Sequence, residues 1–250
     1  MAPSTPPTGL ADKGRFRKAR KLSTLVREPL WRGALRHRVA AAVEHRDVPF
    51  GTDFATVVDI GAHHGQFALL IRHLYPSARL LCVEPLPGSI GRLRQTVGSD
   101  HNVAIAETAL AAQPGRQTMH VSCKTDSSSL LPILQPFVDA FPGTEEAATV
   151  EVPVSTLDDL VRDAGVARPA LLKIDVQGGE LDVLDGATEA LKLFDAVFVE
   201  CSFVEFYLGQ ALADEVIARC LQHGLRLVGV YSVVVDAQNR CLQADLLFRR

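Results

Sequence analysis

TVVDIGAHHGQFALLIRHLYPSARLLCVEP, residues 56–85, decides how the rest of the chain is read. An apolar run from Thr56 to Ile60 meets a glycine-bearing turn between Gly61 and Gly65. Apolar residues then return at Phe67, Leu70, Ile71 and Leu74, the three-and-four spacing of one helix face. The segment reads strand, tight loop, helix. A second apolar run, Leu80 to Val83, ends on the acid Glu84. One crossover helix spans that distance, which brings the end of the next parallel strand beside the first loop.

The glycine spacing then selects among nucleotide cofactors. A dinucleotide fingerprint sets three glycines so that a pyrophosphate meets a helix N-terminus; here an acid, Asp59, precedes Gly61 and Gly65 at wider spacing. A carboxylate aimed into the loop repels phosphate and suits a cation. S-adenosylmethionine carries an ammonium and a sulfonium, so Asp59 is expected to hold its amino-acid end. Gly61 is expected to permit close backbone approach, and Glu84 to take the ribose hydroxyls. His63, Gly65 and Pro85 complete the expected cofactor loop, and Asn102, heading the next apolar run, is assigned to the adenine edge.

Composition bounds the rest. The 250 residues are 47% hydrophobic, enough for one α/β core with an N-terminal extension. No apolar stretch approaches the roughly 20 residues of a membrane span, and the N-terminus lacks the apolar core of a signal peptide, so a cytoplasmic protein is expected. The five scattered cysteines read as reduced thiols, with neither a disulfide framework nor a zinc site. A net charge of −3 hides an asymmetry: ten lysines and arginines between Lys13 and Arg38 face one acid, Glu28. Residues 1–12 are expected to be a disordered tail and 13–50 a basic helical extension, with Trp31, Leu35, Val39 and Val43 at helical spacing. That extension is read as a solvated face on a packing helix, or as a contact with an anionic membrane surface or a phosphorylated carrier. Nucleic acid ranks lower, because aromatics are not interleaved with the basic residues.

Residues 51–250 are expected to form the catalytic domain, with residues 87–98 as a second crossover helix and 102–110 as a third strand. Residues 111–149 interrupt the alternation and read as inserted loops and short elements. Val150 to Val154 reads as an edge strand, and Ser155 as the cap of a short helix. The second informative stretch is ALLKIDVQGGELDVLDGA, residues 170–187. Its apolar run leads into Asp175, which should face the ligand crevice past the carboxyl end of a central strand, with Lys173 on the same side. Asp175 can accept a proton, orient a substrate or help hold a divalent metal such as magnesium. Glu180 complements the following helix dipole. The strand 196–201 ends near Glu200, expected beside Asp175, where two carboxyls can share a proton or a metal. His63 and His64 are further base candidates. The remaining chain reads as a helix and two closing strands joined by a turn at Asp236 to Asn239.

The loop DIGAHHGQF, the acid in VEP, the TLDDL segment and above all LLKIDVQGGELDVLDGA resemble the FkbM family of S-adenosylmethionine-dependent methyltransferases, from about Phe54 to Arg250. The resemblance implies an α/β, Rossmann-like class I methyltransferase fold: a seven-stranded, mostly parallel sheet with an antiparallel last strand. It also implies methyl transfer to a hydroxyl of a sugar, glycolipid, polysaccharide or natural product, with Asp59, Gly61 and Gly65 in the cofactor loop, Glu84 on ribose and Asp175 in the site. Two positions depart from the family's habit: His63 where asparagine is common, and Gln177 where glutamate is frequent. Protein or nucleic-acid methylation, or a non-catalytic binding module, are the alternatives; Asp175-Val176-Gln177-Gly178 stands where an amino-methylating site commonly has Asn/Asp-Pro-Pro-aromatic.

Overall fold

The computed structural model describes residues 28–51 and 53–250. Strands β1 (Thr56–Ile60) and β7 (Ala170–Ile174) are buried at every position, the pattern of parallel strands covered on both faces. They pair in parallel at the centre of a seven-stranded sheet ordered β3-β2-β1-β7-β8-β10-β9, with β2 at Arg79–Val83, β3 at Val103–Ala106, β8 at Ala196–Ser202, β9 at Arg226–Val235 and β10 at Cys241–Arg249. Pairings among β3, β2, β1, β7 and β8 are parallel, whereas β10 runs antiparallel to both β8 and β9. This is the Rossmann-like class I methyltransferase sheet, antiparallel last strand included.

Alternate residues of the central strands feed two cores. Val58, Leu172 and Val197 pack with Val161 of α5 (Leu157–Ala164), Val183 and Leu184 of α6 (Glu180–Asp185) and Val216 of α7 (Ala213–Gln222). On the other face Val57, Leu171 and Phe198 meet Leu69 of α2 (Gln66–Leu74), Leu93 of α3 (Pro87–Val97) and Trp31 of α1 (Pro29–Ala34).

The extension differs from the expected single helix. α1 passes into a 3₁₀ turn at Leu35–His37, Arg38 takes a left-handed φ of 60°, and a second 3₁₀ turn covers Val43–His45. Trp31 and Val39 are buried, the Trp31 indole donates to Leu69 O at 3.1 Å, and Ala42 N donates to Gln66 O at 3.0 Å. The apolar spacing therefore records contacts with the domain, which a bent segment satisfies better than a straight helix. The expected tail, and most of the basic run, lie outside the described residues. Among the described residues no helix is long and apolar enough to cross a membrane.

The insertion is also more ordered than a set of loops. The expected third strand divides: β3 stays in the main sheet, while β4 (Ala109–Leu110) pairs with β6 (Glu146–Ser155). β6 in turn pairs antiparallel with β5 (Gly115–Ser122), making a second, three-stranded sheet over Leu86, Met119, Val152 and Val154. Period-two burial of Val152 and Val154 within an otherwise exposed β6 carries this sheet. A short helix, α4 (Gln135–Ala140), packs Phe137 on Phe206 and Tyr207. The cap of α5 moves by one residue: Thr156 Oγ1, not Ser155, accepts from Asp159 N at 3.1 Å.

Candidate active site

The carboxyl ends of β1, β2 and β7 open into a cavity of about 260 Å³, walled in part by the insertion and by Ala42, Glu44 and His45. Gly61 makes the tight junction. Its φ is 76°, and a Cβ there would lie 1.8 Å from Asp175 O. Gly61 N and Ala62 N each donate to Val83 O at 3.0 Å, and Asp175 N donates to Ile60 O at 3.1 Å. Gly61 was expected to admit a ligand; what presses on it is the chain's own β7 loop. Gly61→Ala should cost roughly 2–4 kcal/mol, the sum of left-handed strain and overpacking against backbone, read as a lower urea midpoint. An unchanged midpoint would show that the two loops separate freely.

Glu84 lines the cavity and is buried. Its Oε2 accepts from His63 N and its Oε1 from Leu86 N, both at 2.9 Å. Burial pushes its carboxyl up to about 7, against the lowering effect of those two donors. His63, at φ 46°, turns its ring to Thr125 Oγ1 at 2.8 Å and Gln66 Nε2 at 3.1 Å, so both ring nitrogens are engaged and the insertion is tied to the β1 loop. Pro85 lines the cavity beside Glu84.

Asp59 departs from its expected role. It sits at 0% exposure beneath the cavity floor, and Lys173 Nζ lies 3.1 Å from its Oδ1. β1 and β7 pair Asp59 directly with Lys173, so the ion pair follows from strand register. Lys173 also reaches Asp175 Oδ2 at 3.4 Å and donates to Gly61 O at 3.0 Å. Burial alone would lower the ammonium; the Asp59 and Asp175 carboxylates outweigh it and raise Lys173, keeping it charged. Burial pushes the Asp59 carboxyl upward while Lys173 opposes it. Asp59 thus neutralises a buried lysine, and of these three charges Lys173 and Asp175 line the cavity, beside Glu84, Asp126 and Asp182.

Asp175 accepts from Gln177 Nε2 at 2.8 Å, and the same Nε2 donates to Glu200 Oε2 at 2.8 Å. The two acids are therefore neighbours, as expected, with an amide between them. Burial, followed by the Asp175, Asp245 and Glu180 charges, pushes the Glu200 carboxyl well above its ordinary value. Its Oε2 is taken up by the Gln177 amide and it lies outside the cavity lining, so Glu200 is a structural partner of Gln177. Glu180 does more than complement a dipole: its carboxylate accepts from Val176 N and Gly178 N at about 3 Å, bracing the loop.

Four further expectations change. His64 stacks on His63 at 3.5 Å, and burial, then His63 and Arg92, lowers it to about 4; it lies outside the cavity lining, which removes it from an acceptor held there. Asn102 precedes β3 and its carbonyl accepts from Leu80 N, which places it at the amino edge of the sheet, opposite the cavity. Gly65 is the N-cap of α2 at φ 92°, its space filled by Leu93, and serves the helix. The donor set around Asp175 does not fit magnesium: an amide N–H and an ammonium already face its oxygens. Among the described residues no three His, Cys, Asp or Glu side chains are grouped to hold a metal.

Sequence reading missed His45, Met119 and Asp126 as lining residues. The serine run 127–129 was the available signal; Ser129 Oγ donates to Gln177 O at 2.6 Å, joining the insertion to the β7 loop. His45 carried none, because its approach is set by the bend at Arg38.

The chain is similar to known methyltransferases. The 2-O-methyltransferase NoeI of Sinorhizobium fredii is 26% identical over 199 residues, covering 77% of this chain and 79% of that protein. Methyltransferase 1 of Beauveria bassiana is 30% identical over 169 residues, covering 61% of this chain and 66% of its own. Among solved structures, a precorrin-6y C5,15-methyltransferase from Geobacter metallireducens aligns at a TM-score of 0.48 and 12% identity over 85% of this chain and 93% of that one. The Methyltransferase FkbM domain matches residues 59–227, spanning both the Gly61 loop and the Asp175 loop, and the chain belongs to that methyltransferase family.

Proposed function

We propose that this chain transfers the methyl group of S-adenosylmethionine to a hydroxyl oxygen of a small molecule or glycan. The observation that carries the reading is Asp175, a partly exposed carboxylate lining the cavity, held between Lys173 and Gln177 beside the Gly61 loop. The residues fit the cofactor in one testable respect: each Glu84 oxygen accepts one backbone N–H and keeps capacity for a ribose hydroxyl. When bound, S-adenosylmethionine supplies an electrophilic methyl on sulfur. The chain must then hold the acceptor oxygen about 3 Å from that methyl and take its proton at Asp175. As the new O–C bond forms and the C–S bond breaks, the electron pair stays on sulfur.

An oxygen acceptor is supported by the relative named as a 2-O-methyltransferase. The insertion wall, with Met119 and Leu130 beside Gln117 and Ser128, suits a hydroxylated ring with one apolar face.

Calorimetric titration with S-adenosylmethionine, S-adenosylhomocysteine and NAD tests the reading. Micromolar binding of the sulfur compounds and none of NAD is expected. Because Glu84 titrates near 7 and its ionised form is the better hydroxyl acceptor, affinity should rise with pH, by up to about tenfold from pH 6 to pH 8. Glu84→Gln should flatten that slope. Absence of binding by either sulfur compound would overturn the proposal.

A further inference from the structure

We propose that Gln177 is a positioning residue that holds Asp175 ionised and oriented, its amide acting as a neutral wedge between two carboxyl groups. This rests on the reading of Asp175 as the proton acceptor. Both N–H donors and the carbonyl oxygen of the Gln177 side chain have partners. Nε2 reaches Asp175 Oδ1 and Glu200 Oε2, each at 2.8 Å, and the Tyr207 hydroxyl lies 2.9 Å from Oε1. An amide has two N–H donors and one carbonyl acceptor, so the three contacts match its chemistry. Glutamate, of the same shape, has no donor for either carboxyl when ionised.

The backbone supports the same assignment. Gln177 sits at φ 58°, a left-handed conformation that costs a non-glycine residue energy and persists where its surroundings over-determine it. Those surroundings are Ser129 Oγ on Gln177 O at 2.6 Å, Tyr207 packed on Gly178, and the Glu180 carboxylate on the N–H of Gly178. Tyr207 also lies 3.1 Å from Ser127 O. The insertion that walls the cavity is thus connected through Gln177 to the carboxylate on which proton removal depends.

The charged and titratable groups around Asp175 come from every neighbouring element: Lys173 on its own strand, Asp59 on β1, Glu200 on β8, Asp245 on β10, Glu180 on α6 and Tyr207 beyond β8. Asp126 and His63 complete the set through their shared neighbours. Lys173 is the positive charge among them, while Gln177 contributes its stabilisation of the carboxylate without adding charge.

Carboxyl-carbon NMR of the ligand-free protein reads the effect without an acceptor. Asp175 is assigned by difference from Asp175→Asn, and its titration is followed in wild type, Gln177→Glu and Gln177→Asn. Gln177→Glu adds a like charge and removes a donor, so the Asp175 midpoint should move up by about one pH unit or more. Asparagine tolerates the left-handed backbone but is one methylene shorter, so Gln177→Asn should give a smaller upward shift. Midpoints within about 0.3 unit of wild type in both folded variants would overturn the proposal. Loss of folding in both would also overturn it, by making Gln177 a structural brace. Cofactor titration of wild type reports separately on the proposed function, so the two failures are distinguishable.

Discussion

Asp175→Asn should lower methyl transfer by about 10²–10⁴-fold, the range attributed to a positioned general base, while leaving S-adenosylmethionine affinity within about threefold. Asparagine preserves the side-chain shape but cannot take the acceptor's proton. The competing bases are weaker on geometric grounds. His63 has both ring nitrogens engaged by Thr125 and Gln66, and its imidazole is lowered by burial. Glu200 and His64 both lie outside the cavity lining, and burial and acidic neighbours push the Glu200 carboxyl upward. Single-turnover methylation with the variant, alongside cofactor titration, separates chemistry from binding. A variant that retains more than about a third of wild-type turnover would remove Asp175 from the proton-transfer step.

Lys173→Met should destabilise the fold by about 3–5 kcal/mol, the cost of stranding a buried charge by deleting its partner. The stranded group is Asp59, which is wholly buried and ion-paired with Lys173 at 3.1 Å. In a domain of this size that corresponds to a fall in Tm of roughly 6–20 °C. The double variant Lys173→Met/Asp59→Asn should recover at least half of the loss, because removing both charges removes the desolvation penalty with them. Urea unfolding of the two single variants and the double variant gives the coupling. Additive effects would mean that the two charges do not depend on each other, against the register that sets them face to face.

The same pair shows where reading a sequence stops. Local spacing was enough to identify the β1–α2 unit, the Glu84 strand end and the Asp175 loop, because strand and helix periodicities and turn glycines are short-range properties. Asp59 was recognisable as an acid just before the loop, yet its contact with Lys173 depends on which residues of β1 and β7 pair, and a one-residue slip would send the two side chains to opposite faces. Asn102 was assigned to the cavity by its nearness in sequence to β3, but a strand has two ends, and only the direction of β3 in the sheet puts Asn102 at the one away from the ligand.

The sequence by itself determined the α/β class, the Rossmann-like methyltransferase sheet and the identity of Glu84 and Asp175 as cavity acids, since each rests on a motif contained within one strand and the loop that follows it. The tertiary structure decided the rest. Strand register buried Asp59 under Lys173, the approach of two loops required glycine at position 61, and the folding of the insertion into a second sheet brought Thr125 and Ser129 onto His63 and Gln177. Those contacts join residues far apart in the chain, and their energies come from burial and charge pairing, which arise only once the elements have packed.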